Sequence, residues 1–204
     1  MKKPSLVAIV ACLLLSPQAF ADGFSGAYLG AGAGLTTSNV SAKANNLVFY
    51  TSLTERARSD SGTKLYGGYS WGKIAVEGGV YSLGTYKLSG LIGSDASADQ
   101  FKTKALAISV VGTATVTESV AMHGKLGVAR VTTDYNCITL CTGVSETSTK
   151  STVPFVGAGM SWSVSKHFAV RADAETFRGA KFKYLGTTAK ANYELYSLGA
   201  EVRF

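Results

Sequence analysis

A repeated alternation is what most narrows the fold of this chain. Stretches of about ten residues, in which apolar side chains take turns with small or polar ones, recur along the sequence, and no helical period lasts three turns. Period-two alternation is the pattern of a strand with two unlike faces. Eight strands are expected: Gly26–Thr36, Thr63–Gly72, Ile74–Gly84, Lys102–Val116, Val120–Thr132, Thr152–Ser163, Phe168–Arg178 and Tyr193–Phe204. Composition agrees with an all-β chain rich in turns. Gly supplies 23 of 204 residues, above the usual ~7%, while charged residues make up only 16%. Disorder needs more charge, collagen needs a strict Gly period, and a coiled coil needs far less Gly.

The connections between these strands alternate in length. Gly72-Lys73, Thr117–Ser119 and Val164–His167 are short, whereas Thr37–Gly62, Thr85–Phe101, Thr133–Ser151 and Gly179–Asn192 are long and rich in Ser, Thr, Asn, Gly and Lys. A half-exposed sheet in water explains alternation alone but gives no reason for this asymmetry. Short turns at one end and long loops at the other are the layout of an up-and-down, eight-stranded antiparallel transmembrane barrel.

The faces read the same way. Phe168, Val170, Ala172 and Ala174 share one face of the seventh strand, and Arg171, Asp173 and Glu175 share the other. In the third strand Ile74, Val76 and Val80 lie opposite Ala75, Glu77 and Tyr81. The charged face holds Glu77, Lys125, Arg171, Asp173, Glu175, Glu201 and Arg203. A closed barrel places such residues in a narrow interior where they can pair. Gly30, Gly32 and Gly34 on the inner face of the first strand leave room for long side chains opposite. Tyr69, Trp71 and Trp162 near the short turns, and Tyr86, Tyr135, Phe182 and Tyr184 towards the long loops, suit the two aromatic girdles of a membrane barrel.

Export fits this picture. Lys2 and Lys3, the apolar run Leu6–Leu15 and Ala19-Phe20-Ala21 read as a secretory signal over Met1–Ala21, cleaved before Asp22. A lipobox reading of Ile9–Cys12 is the alternative, with a very short apolar region. The run is too short for a membrane-spanning helix. Two of the 20 Lys and Arg residues leave with the signal, so the formal +7 becomes +5. Cys12 leaves as well. Cys137 and Cys141 are then read as a disulfide closing a small loop, with a metal or redox pair as the less supported alternatives.

At the C-terminus Tyr196, Leu198, Ala200, Val202 and Phe204 alternate with Ser197, Gly199, Glu201 and Arg203. Tyr196, Leu198, Val202 and Phe204 are expected to act as the aromatic assembly signal read by the outer-membrane barrel machinery. With those residues in view, the chain resembles the OmpA-type family of small outer-membrane barrels. His123–Arg130 is similar to its fifth strand, Pro154–Met160 and Phe168–Glu175 to its sixth and seventh, and Leu195–Phe204 to its eighth. The resemblance implies that Glu77 and Arg171 occupy the positions of an interior salt-bridge gate, with Lys125 and Asp173 at charged interior positions. Ser161 stands where that gate has Glu, and Val111 where it has Lys, so a fixed Glu77–Arg171 pair is expected rather than a switch. The family's periplasmic, peptidoglycan-binding domain is not expected in this chain.

The functional expectation is a non-enzymatic, monomeric outer-membrane protein, with loops for external contacts such as a host surface or serum ligand and a barrel that supports the envelope. The loops and strand ends carry Lys43, Arg56, Arg58, Lys87, Lys102, Lys150 and Lys190, and Arg130, Arg178, Lys181 and Lys183 are candidate contacts for lipopolysaccharide phosphates. No nucleic-acid partner, cofactor or metal is expected. Two alternatives stand beside this reading. A lipid A-modifying enzyme needs a His base near the outer leaflet, but His123 and His167 both lie by short turns. A narrow, ion-leaking pore conflicts with a lumen that eight strands fill with side chains. Glu77→Ala is expected to leave Arg171 unpaired.

Overall fold

The computed structural model describes residues 24–41, 52–56, 59–92, 95–137, 147–184 and 187–204. Nine strands follow in chain order: β1 (Ser25–Ser41), β2 (Ser52–Arg56), β3 (Ser59–Trp71), β4 (Ile74–Ile92), β5 (Asp95–Thr115), β6 (Val120–Cys137), β7 (Thr147–Ser163), β8 (Phe168–Tyr184) and β9 (Thr187–Arg203). Around the sheet the order is β4-β3-β1-β9-β8-β7-β6-β5, and β5 pairs back onto β4, which closes an eight-stranded antiparallel barrel. Closure removes both sheet edges, so each of these eight strands has two hydrogen-bonding neighbours. The short β2 is additional and pairs with Leu88–Leu91 of β4, ahead of β3.

The expected turns are where the strands reverse. Val116 N–H donates to Val120 O (2.9 Å) and Val164 N–H to Phe168 O (3.0 Å). The two ends of the described chain meet at this same end, where Phe204 N–H donates to Ala27 O (2.9 Å).

The other end departs from expectation. Much of what reads as long loops is paired sheet. Thr85–Ile92 and Asp95–Lys102 are parts of β4 and β5 that continue in register, and Thr187–Ala191 pairs with Ala180–Tyr184 of β8. Ser and Thr abound there, and past the lipid a strand has no need of an apolar face, so hydropathy alternation fades while backbone pairing continues.

Two bulges mark the transition. One extra residue enters β4 between Ser82 and Thr85, and one enters β8 between Phe177 and Ala180. Gly84 (φ 90°) and Gly179 (φ 77°) hold the left-handed backbone at these points, a conformation that disfavours side chains. Each bulge also reverses which parity of residue faces outward. Arg178 and Lys181 therefore both lie on the outer surface, with buried Ala180 between them.

The outside of the barrel is apolar. Leu29, Leu35, Leu65, Val80, Leu106, Ile108, Leu126, Val128, Met160 and Leu198 are all exposed, Leu126 by 67%. In water such a surface would be untenable; in lipid it is the required solvent contact. The outward run from Leu106 to Val116 rises about 26 Å at ~3.4 Å per residue and a tilt near 40°. That matches the apolar band of outer-membrane barrels. At the short-turn end Tyr69 and Trp71 face outward with their rings 5.0 Å apart, where an amphipathic ring meets headgroups. The side chains of Tyr86, Tyr135, Phe182 and Tyr184 lie outside the described residues.

The inside is filled in two layers. Towards the hairpin end, Tyr81, Leu83, Val131, Val153, Phe155, Phe177, Tyr193 and Leu195 form one buried apolar cluster. Phe155 and Phe177 are wholly buried with centroids 4.9 Å apart, and Tyr81 packs against both. Beneath this cluster lies a layer of charge. Tyr28, Tyr66, Ala75 and Val111, with Phe24 packed against them, form the second apolar cluster beside it.

Candidate functional site

The charge layer is built by strand parity. On β8 the odd positions Arg171, Asp173 and Glu175 point inward, and Glu77 of β4, Lys125 of β6 and Glu201 of β9 join them, all buried. Arg203 is partly buried at the short-turn end. Two further members, Lys64 of β3 and His123 of β6, are not among the interior charges expected from the sequence and are also buried here. The alternation around Lys64 is blurred by Gly62, Gly67 and Gly68. His123 is the fourth residue of its strand, beside the short turn as its sequence position implies, and its side chain is buried inside.

Arg171 is the hub. Its Nη1 donates to Glu77 Oε2 and to Glu201 Oε2, each at 2.9 Å. Lys125 Nζ reaches Glu175 Oε1 (2.6 Å), Glu77 Oε1 (2.8 Å) and Asp173 Oδ1 (3.3 Å). Lys64 Nζ bridges Asp173 Oδ2 and Glu175 Oε2, both at 2.8 Å. Arg203 Nε pairs with Glu201 Oε1 at 2.9 Å. His123 Nε2 lies 2.6 Å from Asp173 Oδ1. A carboxylate only accepts, so the imidazole proton sits on Nε2 and is donated to Asp173. Arg171 Nε lies 3.2 Å from the same nitrogen and 3.3 Å from Asp173 Oδ2.

Tyr66 completes the layer. Its ring lies beneath three cations, with Arg171 4.8 Å, Lys64 5.2 Å and Lys125 5.6 Å from the centroid. The face of an aromatic ring attracts cations, more strongly when they are desolvated. Gly30 makes this possible, since a Cβ there would meet the Tyr66 ring. Tyr28 OH donates to Glu77 Oε2 (3.1 Å) and Tyr81 OH to Glu175 Oε1 (3.3 Å).

Four carboxylates, Glu77, Asp173, Glu175 and Glu201, thus face four cations, Lys64, Lys125, Arg171 and Arg203. A neutral, multiply bonded layer is the arrangement in which buried charge is tolerated. Arg171 and Glu77 are paired, as an isolated gate pair would be, but Arg171 holds Glu201 and Asp173 as well. The expectation that Glu77→Ala strands Arg171 is therefore corrected: the charge would be shared among the remaining acids. Ser161 and Val111 are both buried inside the same wall. Among the described residues no group of three or more His, Cys, Asp or Glu is arranged to hold a metal ion.

The outer surface carries its own pattern. Lys104, Arg130, Lys150, Arg178, Lys181 and Lys190 are all exposed, on β5 to β9, along the hairpin-side margin of the apolar band. No ion pair among the described residues engages them. Lys181 and Lys190 stand directly opposite one another across β8 and β9, a placement of like charges that disfavours the pair unless an anion lies between. Tyr196, Leu198, Val202 and Phe204 of the terminal strand project outward. Met1–Ala21, Lys43, Arg58 and Cys141 lie outside the described residues, as do the side chains of Arg56, Lys87, Cys137 and Lys183.

The model of the outer membrane protein beta-barrel domain matches residues 5–204. The chain belongs to that family. Among solved structures it is similar to Neisserial surface protein A, at 15% identity over 88% of this chain and 98% of that one, with a TM-score of 0.59. It is also similar to the outer membrane protein OprG of Pseudomonas aeruginosa, at 14% identity over 91% and 99%, TM-score 0.60. A third is Ail, the attachment invasion locus protein of Yersinia pestis, solved with the heparin analogue sucrose octasulfate, at 17% identity over 88% and 99%, TM-score 0.50. At these identities the likeness concerns the fold. No curated protein matches the sequence. The family places this barrel in the outer membrane, so the apolar band is its lipid contact. In such barrels the short turns face the periplasm and the longer hairpins the exterior.

Proposed function

We propose that this protein is a non-enzymatic scaffold of the outer membrane, whose barrel braces the outer leaflet and whose extracellular hairpins carry the contacts with the surroundings. The observation that carries this reading is the filled lumen. An apolar plug around Phe155 and Phe177 lies over a neutral charge layer around Arg171, which leaves the outer surface and hairpins to interact. A conducting channel needs a continuous polar path, and the apolar layer interrupts it. His123, the imidazole beside a carboxylate, is enclosed with Asp173 and Arg171, out of reach of the outer leaflet.

Bracing rests on the arc of exposed cations. Arg130, Arg178 and Lys181 stand where the phosphates of lipopolysaccharide meet the barrel wall, with Lys183 expected to extend the same cluster. A charge-assisted bond to phosphate is short, strong and bidentate for Arg. The chain is read as exported through a cleaved signal, inserted by the barrel assembly machinery through its terminal aromatic strand, and monomeric. The test is a combined Arg130→Gln, Arg178→Gln, Lys181→Gln variant. Its barrel should assemble normally while lipopolysaccharide copurifying with it falls several-fold. Unchanged copurification would remove the bracing role.

A further inference from the structure

The lipid-facing wall is not uniform. A surface cavity of about 590 Å³ opens on it, lined by Ala31, Ala33, Leu65, Val80 and Leu198, with Lys104 at one end. It is a shallow hollow open to the lipid rather than an enclosed pocket. The register explains its shape. Leu198, Ala33, Thr63, Ser82 and Lys104 are successive partners across β9, β1, β3, β4 and β5. They form one row that begins apolar, has small side chains in the middle and ends in a cation.

The neighbouring row, Ala31, Leu65, Val80 and Leu106, supplies a bulkier bank. Four strand spacings of ~4.8 Å make the trough about 19 Å long. Strand tilt sets it obliquely across the outer half of a hydrocarbon core ~30 Å thick. The end of the row at Lys104 is its hairpin-side end.

We propose that this trough is a docking site for one molecule of the phosphorylated glycolipid of the outer leaflet, a lipid A acyl chain lying along Ala33 and a phosphate held by Lys104. Charge complementarity selects the occupant: the apolar floor takes a chain that any lipid could supply, and the cation at the lip takes a phosphate. Ser82, the direct partner of Lys104, is polar and placed to assist. The inference deepens the bracing reading and rests on it, but it concerns β9-β1-β3-β4 and Lys104 rather than Arg130, Arg178 and Lys181.

The full chain, reconstituted in bilayers containing either hexa-acylated lipid A or phosphatidylglycerol, is released into detergent and weighed by native mass spectrometry. The parent should retain one lipid A and lose phosphatidylglycerol. Lys104→Gln should lower retention about tenfold, the loss of one charge-assisted contact. Ala33→Leu, which fills the floor from the lipid side without entering the lumen, should abolish it. Both variants should keep the folded band in electrophoresis, which separates loss of the site from loss of the barrel. Equal retention of phosphatidylglycerol would overturn the choice of occupant. Retention unchanged in both variants but lost in the Arg130, Arg178 and Lys181 triple variant would overturn the trough while leaving bracing intact.

Discussion

Replacing Glu77 with Gln removes one carboxylate from the interior layer and leaves its four cations in place. Glu77 is almost wholly buried and contacts Arg171 Nη1 at 2.9 Å, Lys125 Nζ at 2.8 Å and Tyr28 OH at 3.1 Å. Breaking a buried ion pair by removing one partner ordinarily costs about 3–5 kcal/mol, because an uncompensated charge remains. Here Arg171 keeps Glu201 at 2.9 Å and Lys125 keeps Glu175 at 2.6 Å. The lower end, about 3 kcal/mol, is therefore expected. Equilibrium urea unfolding in phospholipid vesicles measures it, with the gel temperature at which the folded band disappears as an independent readout. Lys125→Met in the same chain restores equal numbers of acids and bases, so the double variant should recover most of the loss. If Glu77→Gln cost no more than an exposed ion pair, under about 1 kcal/mol, the layer would not be a coupled network. Strict additivity of the two single changes would lead to the same conclusion.

Other outcomes follow from the same packing. Gly30→Val places side-chain atoms into the Tyr66 ring and should destabilise the barrel by about 1–3 kcal/mol. Gly124→Val, which meets nothing within 4 Å on the lipid side, should leave unfolding unchanged; both are read by the urea midpoint. Replacing residues 42–51 and 138–146 with short linkers should leave a folded barrel but abolish cell binding to immobilised host matrix or serum protein, and unchanged binding would count against hairpin-borne contacts. Phe204→Ser should reduce the amount of folded barrel in the outer membrane several-fold while the exported precursor accumulates, as shown by heat-dependent electrophoresis of membrane fractions.

Strand number, closure and the inward set on β8 were readable because one parity of each strand faces lipid. Phe168, Val170 and Ala172 against Arg171, Asp173 and Glu175 leave little choice of face. The upper lumen was hidden because both of its surfaces are apolar. Val153 and Phe155 point inward while Pro154 and Val156 point to lipid, and the sequence contrast between the faces vanishes. Lys64 was missed among glycines that carry no facial information. The bulge at Gly179 breaks counting altogether, since parity from Arg178 would send Lys181 inward. The hairpin extensions escaped notice because their Ser and Thr read as loop, although pairing with a neighbour satisfies the backbone equally well.

The filled lumen is the claim on which the scaffold reading turns, and conductance across a planar bilayer containing the purified full-length protein tests it most directly. At molar potassium chloride and applied voltages of either sign, the current should stay at the baseline of bare lipid. Discrete, reproducible steps that scale with salt concentration would show a continuous aqueous path past Phe155 and Arg171, and would contradict the account.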